Sequence, residues 1–369
     1  MNPSHPPDSG SRVDHTIRVC HGGGRGNLGP VEKLFKLREN LSLSICEADI
    51  ESGDAAWKTY DRTIHEYATR YGIRLAIVPH CLSNTIGRKP FHINAMPDCS
   101  SLLTVSPRAE SWQRMNEFSY RIVWGEICRP ARTVEVNVTT LDQLIADGKL
   151  ASPHFLSLDI QGAEFAAMEG ATSCFEGDLM GVITEVEFRE MYAGQKLFAD
   201  QHAFLHRHQF DLYELQNPEY WYSGPIQGKG ALTVAEALFL RDFRYFIDQE
   251  KDALQLVAKL AKLALIAHCF QRDSYAVEIL DYVTSRQPAA WGALLTQPGC
   301  TNLDTLIAFH RKSKAGQARQ QKIPTYAEFM RLSAAARLPC RIRAIPRLLP
   351  KLDIALIRTI LRRLFNRTA

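Results

Sequence analysis

Between Thr16 and Arg241, short apolar runs alternate with longer segments whose apolar residues recur every three or four positions. The first pattern predicts buried strands and the second amphipathic helices. Strands are expected at Thr16–Cys20, Leu41–Cys46, Arg74–Val78 and Pro90–Ile93. Two further runs end in acids: Leu156 to Leu158 leads into Asp159, and Gly181 to Glu187 closes on carboxylates. The last two strands are expected at Phe210–Leu215 and Leu232–Arg241. Helices are expected at about Pro30–Arg38, Ala55–Tyr71, Leu141–Ala146 (capped by Thr139 or Thr140) and Phe198–Arg207. Strands alternating with helices predict an α/β fold with a doubly wound sheet. Residues 80 to 135 are less regular, and the Pro-, Gly-, Tyr- and Trp-containing stretch Asn217–Gly230 reads as a lid over the sheet. From Phe246 the pattern turns wholly helical, with helices expected at Asp252–Phe270 and Ser274–Ser285. The end, Asp353–Asn366, sets apolar positions against Arg358, Arg362 and Arg363, as in an amphipathic basic helix. The expected organisation is a disordered arm at 1–14, an α/β domain at 15–245, a helical extension at 246–340 and a basic tail at 341–369.

Ligands of open α/β sheets bind beyond the carboxyl ends of the strands. Asp159 and Glu185 therefore stand where chemistry is done, with Glu164 and Glu187 close by in sequence. The loop from His21 to Gly29 holds Gly22, Gly24 and Gly26, which let a backbone approach a ligand and adopt positive φ. Pro30 suits the first helical position after it. An acid at the end of the second strand can accept hydrogen bonds from two ribose hydroxyls; Glu47 is best placed for this and Asp49 is next. Gly24-x-Gly26-x-x-Gly29 with Glu47 also reads as a dinucleotide fingerprint, so an NAD-dependent oxidoreductase is a rival.

Five motifs stand in order: Cys99-Ser100-Ser101-Leu102-Leu103, Thr140-Leu141-Asp142, Asp159 to Glu164, Glu185 to Phe188, and Tyr192 to Phe198. Over residues 15 to 243 the chain thereby resembles the FkbM family of S-adenosylmethionine-dependent methyltransferases. The resemblance implies a Rossmann-like, seven-stranded class I methyltransferase sheet ending in a reversed hairpin, here followed by the all-helical extension. It implies S-adenosylmethionine held by Gly22, Gly24, Gly26, Glu47, Asp49 and Asp159. It further implies O-methylation of a hydroxyl on a sugar, glycan or secondary metabolite. A hydroxyl acceptor needs somewhere to send its proton, which a carboxylate can take. Asp159 is the first candidate, as base or as orienter; Glu185 follows, and Glu164 is third. Asp159 and Glu185 also suit a hard cation, and His202, His206 and His208 cluster in sequence, but no metal site is expected. One departure stands out. Where the family usually carries an Asp two residues before its first glycine, this chain has Cys20, and Gly24 replaces an Asn. A catalytically inactive, methyltransferase-like binding or scaffold protein is the alternative outside enzymes.

No apolar run approaches the ~18 residues that span a bilayer. Met1 to Ser11, rich in Pro, Ser and Gly, reads as neither signal peptide nor anchor. Nine scattered cysteines without a CxxC pair fit a reducing cytoplasm, with Cys20 and Cys46 as core residues. The net charge of +4 is uneven: residues 311 to 369 carry +13, leaving −9 on the first 310. The tail lacks the aromatic interleaving of a single-strand nucleic-acid binder. The eight Lys and Arg from Arg341 to Arg367 instead suit peripheral, reversible contact with an anionic inner-membrane surface. The helical extension is expected to pack on the sheet or to form a homodimer contact.

Overall fold

Side chains alternate across a strand, so a sheet covered on both faces feeds two cores. The computed structural model describes residues 13–23, 28–48, 55–116, 118–299 and 301–319. Its main sheet holds β1 (Ile17–Gly22), β2 (Leu41–Cys46), β3 (Arg74–Val78), β4 (Phe155–Leu158), β5 (Gly181–Glu187), β6 (Phe210–Trp221) and β7 (Ala231–Arg241). Their order across the sheet is 3-2-1-4-5-7-6, with β7 antiparallel to both neighbours and the other pairs parallel. The fold is thus mixed α/β on a mostly parallel sheet.

Alternation divides each strand between the two cores. Ile17 and Val19 of β1, Leu43 and Ile45 of β2 and Phe155 of β4 enter one cluster. Cys20, Cys46, Leu156 and Leu158, one position away, enter the other. The second face is covered by Leu141–Ala146, Glu164–Glu169, Thr172–Phe175 and Phe198–Arg207, through Leu144, Met168, Phe175 and Leu205. Thr140 caps the first of these, its hydroxyl accepting from the Gln143 amide at 3.0 Å.

The helical extension covers the first face. Twelve of the seventeen residues of Ala253–Cys269 are buried, as expected of a helix enclosed on nearly all sides. Phe270, just after it, stacks on Phe155 of β4 at 5.1 Å, and Leu256, Leu260 and Leu263 share a cluster with β1 and β2. Asp252 caps this helix by accepting from the Leu254 and Gln255 amides. As far as Ser313, where the first compact unit ends, the extension is therefore a layer of the α/β core. Val13, assigned to the arm, is buried, and its amide donates to Gln297 Oε1 at 3.1 Å.

Two expectations need correction. The irregular stretch after β3 forms a three-stranded sheet of Cys81–Leu82, Gly87–Asn94 and Pro130–Thr139, and a hairpin of Gln113–Met115 with Arg121–Val123. The expected lid at Asn217–Gly230 is strand as far as Trp221, and the rest of it, from Tyr222 to Gly230, is the connection between β6 and β7. Bulges near Glu214 and Glu219 absorb the irregular sequence, so β6 stays paired with β7 as far as Trp221. No helix among the described residues is long and apolar enough to cross a membrane. The basic tail at 341–369, where the amphipathic helix is expected, lies outside the described residues.

Candidate active site

β1 and β4 are neighbours, but the chain leaves β1 towards β2 and β4 towards β5. Such a divergence opens a crevice at the carboxyl ends of the strands. Gly23 follows β1 with φ +105°, and a Cβ there would stand 1.9 Å from the Asp159 carbonyl oxygen. Only glycine fits this approach. The Gly23 amide donates to the Cys46 carbonyl at 3.2 Å, and the Asp159 amide donates to that of Gly22 at 3.1 Å. The ends of β2, β1 and β4 are thereby laced around one cleft. Glu47, the first residue after β2, is 5% exposed. It lines the cleft with Gly23, Asp98 and Asp159, opposite an apolar wall from Leu82, Phe91 and Leu102.

Gln161 connects this cleft to its surroundings. Its φ of +57° lies in the left-handed region, and Ser101 Oγ donates to its carbonyl at 2.6 Å. Its Nε2 donates to Asp159 Oδ1 at 2.8 Å and to Glu185 Oε2 at 3.3 Å. The Tyr192 hydroxyl lies 2.9 Å from Gln161 Oε1 and 3.2 Å from the Cys99 carbonyl, and its one proton goes to either. A side-chain amide donates from nitrogen and accepts at oxygen. Carboxylates on one end and a phenol on the other therefore fix the way Gln161 faces. Tyr192 is held in turn: Gln195 Oε1 accepts from the Met191 and Tyr192 amides at 2.6 and 2.5 Å.

Gln161 also lines a second pocket, with Glu185, Glu187, Glu219, Arg114, Trp124, Tyr192 and Trp221. Trp124 meets Tyr192 and Trp221 edge-on at 5.4 and 5.3 Å. Arg114 pairs with Glu219 at 3.3 Å, its guanidinium 5.3 Å from the centre of the Trp221 ring.

Residues 35–212 match the family model of the methyltransferase FkbM domain. The match takes in Glu47, Asp159, Gln161, Glu185 and Tyr192, whereas β1 and Gly23 precede it. Among solved structures, a methyltransferase FkbM from Methylobacillus flagellatus KT is similar, with 12% identity and a TM-score of 0.33. The likeness covers 62% of this chain and 44% of that one, so this chain spans less than half of that protein's length. No curated protein matches the chain.

Burial governs the acids of this site. Asp159 is raised above the usual carboxylate range by desolvation, with the charge of Asp98 adding and the Gln161 hydrogen bond opposing. Glu185 and Glu187 are pushed well up, by burial first and then by neighbouring carboxylates. Glu164, 1% exposed, rises from 4.5 to about 7 because burial outweighs the amides that donate to it. Between those values the folded chain holds a proton that the unfolded chain has released. Glu164 thus lends stability at low pH that is lost as pH rises from about 4.5 to about 7. The full effect is about 3 kcal/mol. Glu164→Gln keeps an oxygen for both amides and is expected to flatten this decline. Thermal melts from about pH 5 to 8 check it, and an unchanged slope contradicts it.

The structure sorts the predicted residues. Asp159 and Glu185 are brought together on the Gln161 amide, and Glu47 shares the cleft with Asp159. Glu164 is engaged with the backbone. Its Oε1 accepts from the Ile160 and Gly162 amides at 2.7 and 3.2 Å, which staples the turn after β4. Gly22 ends β1 against Leu158 and Ile160, and Gly23, not Gly22, lines the cleft. Gly24, Gly26 and Asp49 lie outside the described residues. Cys20 points into the core, its Sγ 3.9 Å from that of Cys46, and the hydrogen bond to Cys46 together with burial keeps its thiol protonated. Among the described residues, no three His, Cys, Asp or Glu are grouped to hold a metal ion; His202 and His206 stack 6.0 Å apart. Sequence reading missed Gln161 and Tyr192, although both stand inside motifs it had singled out. It also missed Asp98, Arg114 and Trp124, which lie in the stretch without regular pattern.

Proposed function

We propose that this protein is an S-adenosylmethionine-dependent O-methyltransferase acting on a hydroxyl of a sugar, glycan or secondary metabolite. The observation that carries this reading is the pair of pockets sharing Gln161, with Asp159 in one and Glu185 in the other. The strand order, with its final antiparallel hairpin, supports a Rossmann-like class I methyltransferase sheet. The first cleft also suits the cofactor. Gly23 leaves room that any Cβ would fill, Glu47 offers a carboxylate for ribose hydroxyls, and Leu82, Phe91 and Leu102 offer an apolar wall for a base.

When bound, the cofactor supplies a methyl group on a positively charged sulfur that leaves as a neutral thioether. Alignment of the reactants is then the protein's main task, and positioning can supply ~7–11 kcal/mol. Asp159 is the group that takes the acceptor's hydroxyl proton, and its raised affinity for protons suits that role. Glu185, on the same amide, orients the acceptor from the second pocket, and Tyr192 keeps Gln161 turned towards both acids. Seven described cysteines, all free, accord with a reducing cytoplasm.

Heating the full chain with each cofactor tests the reading. S-adenosylmethionine and its demethylated product are expected to raise the melting temperature, by the equivalent of about 2.7 kcal/mol at a hundredfold excess over Kd. NAD is expected to leave it unchanged. Protection by NAD alone would move the protein to the oxidoreductases.

A further inference from the structure

The second pocket carries an excess of acidic over basic side chains that methyl transfer to a hydroxyl does not require. Glu185, Glu187 and Glu219 line it, and Arg114 is the one Lys or Arg among the described residues that does so. Arg114 pairs with Glu219 through Nη2, and its buried Nε has no hydrogen-bond partner. Glu187 is 1% exposed, its Oε2 meets no donor at ordinary hydrogen-bond distance, and the Gln195 side chain offsets only part of the cost of its burial. A buried carboxylate oxygen without a donor is destabilising unless something charged and hydrogen-bonding meets it. The same acids are pushed well above their usual range by burial and by one another, so a cation among them would relieve both effects.

The walls point the same way. The faces of indole rings attract cations, and Trp124 and Trp221 both line the pocket. Trp221 already has the Arg114 guanidinium over its ring at 5.3 Å. An ammonium group has three donors and no acceptor, which complements carboxylates that can only accept. A neutral polyol would stack on the rings equally well but would leave the charge uncompensated.

We propose that this pocket recognises a protonated amine on the acceptor, so that the substrate class is an amine-bearing hydroxy compound such as an amino sugar. The inference rests on the methyltransferase reading for the pocket's role as acceptor site and narrows the acceptor it takes. Glu187 and Glu185 hold the ammonium, the indoles flank it, and Asp159 is left to the hydroxyl.

The test reads intrinsic tryptophan fluorescence of the full chain at pH 7 without methyl donor. The probes are glucosamine, N-acetylglucosamine and glucose, and binding of S-adenosylmethionine is measured separately. Glucosamine is expected to bind about tenfold tighter than either neutral sugar, as a charged hydrogen bond implies. Glu187→Gln, folded by thermal melt, is expected to abolish that preference. Arg114→Met, which removes the competing cation, is expected to strengthen glucosamine binding. Equal binding of the three sugars, no binding of any, or an unchanged preference in folded Glu187→Gln would overturn the proposal. An amine preference in a chain that binds no S-adenosylmethionine would sustain it and sink the methyltransferase reading instead.

Discussion

Asp159→Asn is expected to lower turnover by ~10²–10⁴ while leaving donor binding intact, the range attributed to a positioned general base. The substitution keeps the shape of the side chain and an oxygen for the Gln161 amide, which now sits 2.8 Å from Oδ1. It removes the one function a carboxamide cannot supply, uptake of a proton. Desolvation already raises Asp159 above the usual carboxylate range, which makes it a stronger base than an exposed aspartate. Glu185, on the same amide at 3.3 Å, is the natural source of any residual rate. Release of the demethylated donor at saturating substrate measures the effect. Full turnover in a variant that still binds donor would remove Asp159 from the chemistry.

Gly23→Ala is expected to cost at least about 2 kcal/mol of stability and to abolish donor binding. The backbone conformation alone accounts for about 1–3 kcal/mol. The added Cβ would also stand 1.9 Å from the Asp159 carbonyl oxygen, a main-chain atom held by the lacing of β1 to β4. Relief of that clash must move either the floor of the cleft or Asp159 itself. Gly72→Ala is the control: φ there is +65°, and nothing lies within 4 Å of the new carbon. It bears the conformational cost without the collision. Urea denaturation of both variants with donor titration separates the two terms. Equal losses, with donor still bound, would show that the β1–β4 junction is not a cofactor cradle.

The strands β2 and β3 and the helices Leu141–Ala146 and Phe198–Arg207 are legible in the sequence to the residue. Each combines a clean period with a boundary signal, such as Thr140 before Leu141. Between Gln216 and Trp221 the strand went unread because Pro218 and the bulges of β6 break the alternation that pairing with β7 tolerates. Pro130–Thr139 was missed although Val134, Val136 and Val138 alternate, since the run is short and its exposed positions include Arg132, Thr133, Glu135 and Asn137. Asp159 and Glu185 were legible because a buried strand that ends in an acid is unusual chemistry. Gln161 was not, since its significance is positional. Only the fold sets its positive φ and brings Asp159, Glu185 and Tyr192 to its two ends. The backbone role of Glu164 was hidden for the same reason: only the fold shows the turn's own amides donating to it.

Calorimetric titration of the full chain with S-adenosylmethionine, its demethylated product and NAD, repeated on Glu47→Ala, tests the donor site most directly. The expected result is micromolar binding of the first two and none of NAD, with loss of about 10–100-fold in affinity on Glu47→Ala, the worth of hydrogen bonds to a buried charge. Absence of binding by either methyl-donor compound, with the chain folded, would contradict the account and leave the cleft at the β1–β4 junction without its proposed occupant.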